Sequence, residues 1–138
     1  MLAENGVHSM SNLLDLRNAV EEMNTGFPRS FGPISITDPL DISVKPDVSW
    51  PSNKYAGVYV FLDEASDILY IGKASFGNCI GGRLNQRFDS SWNSKSPDSL
   101  GCKYITTIAV PDTHRFEAPA IEEFLLSKLT TKLNSVGS

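Results

Sequence analysis

The sequence predicts an α+β fold: a small, mainly antiparallel three-stranded sheet, built from a hairpin over 56–73 and a strand over 103–110 and flanked by helices. Three observations predict it. Gly57-Val58-Tyr59 is followed by Tyr70-Ile71-Gly72, nearly the same tripeptide reversed. Residues 103–110, Lys-Tyr-Ile-Thr-Thr-Ile-Ala-Val, are rich in β-branched side chains and end at Pro111-Asp112. Three other stretches carry apolar residues at helical spacing.

The hairpin is the centre of this reading. Antiparallel partners have numbers that sum to a constant, so setting Tyr59 opposite Tyr70 sets Val58 opposite Ile71 and Gly57 opposite Gly72. Asp63-Glu64-Ala65-Ser66 is then a four-residue turn. Side chains alternate with period two, so both phenols fall on one face. In this register Val58, Val60, Leu62, Leu69 and Ile71 form one face, and Tyr59, Phe61, Ile68 and Tyr70 the other.

The first helix is expected over 12–23. Ser11 or Asn12 can cap it, Leu13, Leu16, Val20 and Met23 recur at helical spacing, and Gly26 and Pro28 end it. Residues 1–10 read as a loose leader without the features of a signal peptide. Residues 27–54 hold five of the eight prolines. Ile34-Ser35-Ile36 and Ile42-Ser43-Val44 suggest extended pieces there. The division is therefore an N-terminal helix and proline-containing arm over 1–54, packed on a domain over 55–138. The arm either packs only, or it dimerises or specifies substrate.

After the hairpin, residues 74–82 form a loop rich in small residues. A helix from about Gly81 to Trp92 follows, with Ile80, Leu84, Phe88 and Trp92 as its buried stripe and Arg83 and Arg87 on its flank. Residues 89–101 read as an exposed loop. The last helix runs from about Ala118 to Leu129, with Pro119 tolerated in its first turn.

Two adjacent carboxylates lie on that helix. Glu122 has Ala118, Leu125, Leu126 and Leu129 at its helical neighbours, so it lies in the apolar stripe; Glu123 faces outward. A carboxylate on an apolar stripe needs a cation or a donor. Glu122 is therefore a metal ligand or a structural salt-bridge partner. Arg83 follows two glycines at a helix start, a place that favours phosphate; alternatively it pairs with Asp89 or Glu122. Tyr59 and Tyr70, taken alone, fit core packing as well as a functional platform.

Composition narrows the class. The chain has 138 residues, 41% hydrophobic and 20% charged, which suits one soluble globular domain. No apolar run approaches the roughly 20 residues needed to span a membrane. Two cysteines without a secretion signal suggest reduced thiols and a cytoplasmic setting. Cys79, Cys102, His114 and His8 have no zinc spacing, and nothing else supports thiol catalysis. Net charge is −4, against strong nonspecific binding of nucleic acid. Between Gly72 and Lys103, however, Lys73, Arg83, Arg87, Lys95 and Lys103 face only Asp89 and Asp98. A local basic segment is enough to grip one piece of phosphate backbone.

Gly57-Val58-Tyr59, Tyr70-Ile71-Gly72-Lys73-Ala74, Arg83, Glu122 and Asn134, in this order, resemble the GIY-YIG nuclease superfamily. The similarity spans about residues 55–135 and is closest to the N-terminal nuclease domain of the bacterial excision-repair endonuclease. The resemblance implies metal-assisted hydrolysis of DNA phosphodiester bonds. Glu122 would hold one Mg2+ or Mn2+ ion, Tyr59 would orient or deprotonate the attacking water, and Arg83 would stabilise transition-state charge. Tyr70 would hydrogen-bond a phosphate oxygen or the water, and Gly72 would admit a close backbone approach. Lys73 and Asn134 would support the site. Arg87 stands where the family often has His or Tyr; it cannot serve as a base because it stays protonated, and it is expected to bind substrate with Gly72, Lys73 and Asn134. Substrate specificity would come from residues 1–54, the 89–101 loop or a homodimer. Two other readings are a binding or regulatory module that keeps the fold without cutting, and an interaction domain with coincidental motifs.

Overall fold

A computed structural model describes residues 10–44 and 49–134. Among them the chain forms three α-helices and a four-stranded antiparallel sheet: α1 (Leu13–Gly26), β1 (Leu40–Asp41), β2 (Ala56–Leu62), β3 (Ile68–Ala74), α2 (Ile80–Arg87), β4 (Tyr104–Val110) and α3 (Glu117–Lys128). The strand order is β1-β4-β2-β3. The α+β class and the helix–hairpin–helix–strand–helix order agree with expectation.

The sheet has four strands rather than three. The extra one is a two-residue pairing, Leu40 with Ile105 and Asp41 with Tyr104. It comes from the arm, next to Pro39, and is too short to show alternation in the sequence. Ile42–Val44, expected to be extended, turns into a single 3-10 turn, with the Asp41 carboxylate accepting the Ser43 N–H at 2.9 Å. Pro46, also assigned to the arm, and most of the expected leader lie outside the described residues.

The hairpin register differs from the mirror-image expectation by two residues. Tyr59 pairs with Gly72, Phe61 with Tyr70, and Gly57 with Ala74. Two local features produce the shift. The connection has five residues, 63–67, because the Asp63 Oδ1 atom accepts the N–H groups of Ala65 and Asp67, both at 2.9 Å. A bulge then places Leu62 opposite Ile68 while Phe61 stays opposite Tyr70, leaving Leu69 as the extra residue. Each feature moves the register by one, so together they preserve parity. Tyr59 and Tyr70 remain on one face, as diagonal neighbours with ring centroids 6.3 Å apart. The bulge also exchanges Ile68 and Leu69 between the two faces relative to expectation.

Helices cover both faces of the sheet. On one, α1 and α3 bury Leu16, Val20, Met23, Ile121 and Leu125 against Val58, Val60 and Ile71. Asn12 caps α1 through a reciprocal box with Asp15, at 2.9 and 3.0 Å. On the other face, α2 and Trp50 pack Leu84 and Phe88 against Tyr59, Phe61 and Ile105. Helix α2 ends at Arg87, five residues earlier than expected. Phe88 is already extended, and the Asp89 side chain accepts the N–H groups of Ser91 and Asn93. Trp92 still reaches the core, but through a left-handed backbone (φ 62°), and its ring stacks on Trp50 at 4.0 Å.

Candidate active site

The candidate residues lie around β3, the phenols on one face of the sheet and the Lys73–Glu122 pair on the other. Lys73 and Gly72 are neighbours on β3 and point to opposite faces. Gly72 lies under the Tyr59 ring, and a Cβ there would run into the ring and its hydroxyl. Gly57 is required for a different reason: its φ is 151°, and a Cβ would strike the Ile108 carbonyl.

Tyr59 is fully buried. Burial raises its phenol pKa, and the charges of Arg87 and Arg83 and the approach of the Arg83 side chain to the hydroxyl only partly oppose the rise. No donor or acceptor meets its hydroxyl in hydrogen-bond geometry among the described residues. The Nε atoms of Arg83 and Arg87 are likewise buried without a partner. Buried polar atoms are nearly always paired, so three orphans on one side of one sheet stand out. The Arg87 guanidinium lies 5.6 Å from the centre of the Tyr59 ring and 5.9 Å from that of Tyr70. It also pairs with Asp98 at 3.4 Å. Arg87 is therefore committed to the aromatic wall and is only 12% exposed.

Glu122 enters from α3, on the other side of β3. The stripe that packs α3 is Ala118, Ile121 and Leu125, so Glu122 stands at its edge and is half-buried. Glu123 is exposed, as expected. Burial raises the Glu122 pKa, opposed by the charges of Lys73 and Arg83. Lys73 Nζ is 3.7 Å from its carboxylate, a loose ion pair with the lysine 40% exposed. Arg83 thus acts electrostatically on both the phenol and the carboxylate, which ties together groups carried by β2, α2 and α3. Lys73 and Arg83 also line a cleft of about 170 Å3 with Ala74, Ser75, Phe76 and Asn78.

Asn134 has a structural position. Its amide accepts the Ile71 N–H and donates to the Ile71 carbonyl, both at 2.9 Å. With Leu133 N donating to the Leu69 carbonyl at 2.7 Å, it covers the free edge of β3 one residue before Gly72. It holds the strand that carries the site, and both ends of its amide are occupied.

Among the described residues no cluster of three or more His, Cys, Asp or Glu side chains could cage a metal. Glu122 is the one carboxylate at the junction. This donor set fits an ion such as Mg2+, which keeps several waters and takes one or two carboxylates plus substrate phosphate oxygens. It does not fit an all-protein cage. The cysteines are accounted for: the Cys79 sulfur caps α2 by accepting the Gly82 N–H at 3.4 Å, and burial pushes the Cys102 thiol pKa up to about 12. His114 sits in the turn before α3, with Ser30 and Thr113 hydroxyls at 3.1 and 2.8 Å from its ring nitrogens.

Three residues near the site escaped the motif reading. Phe76 is 91% exposed at the tip of the β3–α2 loop. Lys54 and Arg115 line a second cleft beside it. Phe76 had a visible signal, a lone aromatic among Ser75, Gly77 and Asn78. Lys54 and Arg115 had none, being remote from it in sequence. No helix among the described residues is long and apolar enough to cross a membrane. No family model, characterised protein or solved structure matches the chain.

Proposed function

We propose that this protein is a metal-dependent endonuclease of GIY-YIG type that hydrolyses DNA phosphodiester bonds. The observation that supports the reading is the position of Arg83, whose charge acts both on Tyr59, beside Tyr70 on one face of the sheet, and on the Lys73–Glu122 pair on the other, with the Tyr59 hydroxyl and Arg83 Nε lacking partners among the described residues. A phosphate supplies acceptors for such donors.

In the reaction a water oxygen bonds to phosphorus and loses a proton to solvent, as the bond to the leaving sugar oxygen breaks and that oxygen takes up a proton. Arg83 offsets the negative charge that grows on the phosphoryl oxygens. Tyr59, its pKa raised by burial, stays a neutral phenol at neutral pH and acts as a hydrogen-bond donor rather than a base. Substrate reaches that hydroxyl only after neighbouring side chains shift. Tyr70 contributes a second phenol on the same face. Lys73 positions Glu122, Gly72 leaves room for the Tyr59 ring, and Asn134 fixes the strand edge. Glu122 would hold the Mg2+ or Mn2+ ion, which when bound supplies Lewis-acid polarisation of the phosphate and a more acidic water.

The runner-up is a DNA-binding or regulatory module that keeps the same fold without cutting. The complete burial of Tyr59 and the commitment of Arg87 to Asp98 favour it. Incubation of plasmid DNA with Mg2+ or Mn2+ separates the two. The nuclease reading expects nicking or linearisation by the wild type and a loss of about a hundred- to a thousandfold in Arg83→Ala and Glu122→Ala. Retardation of DNA without any cutting supports the runner-up and overturns the nuclease reading. Sedimentation of the same sample tests a homodimer.

A further inference from the structure

The β3–α2 loop carries an exposed aromatic on a pinned backbone. Arg115 donates to the Asn78 carbonyl at 2.6 Å and to the Ser75 carbonyl at 3.4 Å, and Asn78 N donates to Ser75 O at 3.0 Å. Gly77 supplies the left-handed backbone (φ 83°) that the reversal needs. The loop is thus held, yet its Phe76 ring is left 91% exposed. Phe76 is also the wall between two clefts. One is the 170 Å3 cleft with Lys73 and Arg83; the other, about 610 Å3, holds Lys54, Cys79 and Arg115. The second is a shallow, open depression on the surface. Among the described residues no carboxylate lines either cleft, although Arg115 pairs with Asp112 and Lys73 with Glu122 just outside them. An aromatic face between cationic side chains suits a nucleic-acid strand, whose bases stack and whose phosphates pair with cations.

We infer that Phe76 is a stacking platform for an unpaired base of a nucleic-acid strand that passes from the Lys73–Arg83 cleft over the loop to Lys54 and Arg115. The end of the strand at Lys73 and Arg83 rests on the nuclease reading; the platform itself rests on the loop. A base inside a duplex is already stacked on both faces, so the platform selects single-stranded or splayed substrate. Lys54 is exposed and contributes a phosphate contact, whereas Arg115 acts chiefly by holding the loop carbonyls.

Fluorescence anisotropy with a labelled single-stranded oligonucleotide of about 12 nucleotides and its blunt duplex tests the inference. The wild type binds the single strand more tightly. Phe76→Ala weakens that binding roughly tenfold, Phe76→Trp retains it, and blunt-duplex binding changes little. Lys54→Ala lowers the salt dependence of binding by about one phosphate contact. Unchanged single-strand affinity in Phe76→Ala overturns the inference, even if plasmid cutting by the wild type upholds the nuclease reading. Equal weakening on blunt duplex overturns it too, as does a variant that only dissociates a dimer. Phe76-dependent binding in a protein that never cuts leaves the platform standing and removes the nuclease reading. A wild type that binds neither DNA removes both.

Discussion

The two faces of the sheet use the same strands to opposite ends. Beneath α1 and α3 the fully buried side chains are aliphatic, among them Leu16, Val58, Val60, Ile71, Ile121 and Leu125. Among the described residues, the orphan polar atom near that side is Arg29 Nε, on a guanidinium bonded to Glu117 at 2.9 Å. Beneath α2 the aromatic groups Tyr59, Phe61, Tyr70, Phe88, Trp50 and Trp92 pack together, and the Tyr59 hydroxyl and the Nε atoms of Arg83 and Arg87 lack partners there, although the Arg87 guanidinium is also bonded to Asp98. The aliphatic face gains stability from simple burial. The aromatic face keeps polar groups at a cost that packing alone does not require, as the proposed function would need of it.

Substitutions on the two faces should separate accordingly. The largest change in stability is expected on the aliphatic face: Leu16→Ala should lower the unfolding free energy by about 2–5 kcal/mol, by transfer and cavity terms. Any cutting per folded molecule should stay as in the wild type. Chemical denaturation alongside a cleavage assay measures both, and a loss of cutting at unchanged folding would break the division between the faces.

Tyr59→Phe should behave in the opposite way. Removing a buried hydroxyl with no partner should stabilise the fold by about 1 kcal/mol, because its desolvation goes uncompensated. Cutting should fall at the same time. A destabilised variant in the same denaturation series would mean that the hydroxyl is satisfied in solution.

The smallest effect concerns pH. Burial raises the folded-state pKa of Glu122, so between about 4.3 and that higher value the folded protein binds more protons than the unfolded one. The contribution of Glu122 is fully present below the unfolded value and is lost as pH rises through the folded one. Glu122→Gln should flatten that part of the stability profile, and thermal melts from acid to neutral pH would reveal it. An unchanged slope would mean that Lys73 and Arg83 compensate the carboxylate fully.

The aliphatic face was largely legible in the sequence, and the aromatic face only in part. Leu13, Leu16, Val20 and Met23 repeat at helical spacing, and Asn12 with Asp15 makes a local cap, so α1 needed nothing distant. The β-branched run of β4 was equally plain. The stripe Ile80, Leu84, Phe88 and Trp92 named the right buried residues but implied a helix that ran too far. The side chain of Asp89 ends it, and Trp92 reaches Trp50 by a turn that periodicity cannot express. Glu122 was correctly separated from Glu123, although it stands beside the buried stripe rather than within it. Asn134 was read as site support; its edge-covering bonds to Ile71 depend on where the chain after α3 lies.

What the sequence determined by itself was identity and parity. It placed a Tyr-bearing hairpin, one inward carboxylate and a basic helix in one chain, with both phenols on one face. The pairing register was decided only in the folded state. A five-residue connection closed by Asp63 would, alone, have sent Tyr59 and Tyr70 to opposite faces, and the bulge at Leu69 restores them to one. The burial of Tyr59 was likewise a tertiary outcome. It depends on Arg87 lying over the ring, with Phe88 beside it at the end of α2 and Trp50 from the arm in the same cluster, and no local pattern carries the free energy of bringing these two segments together.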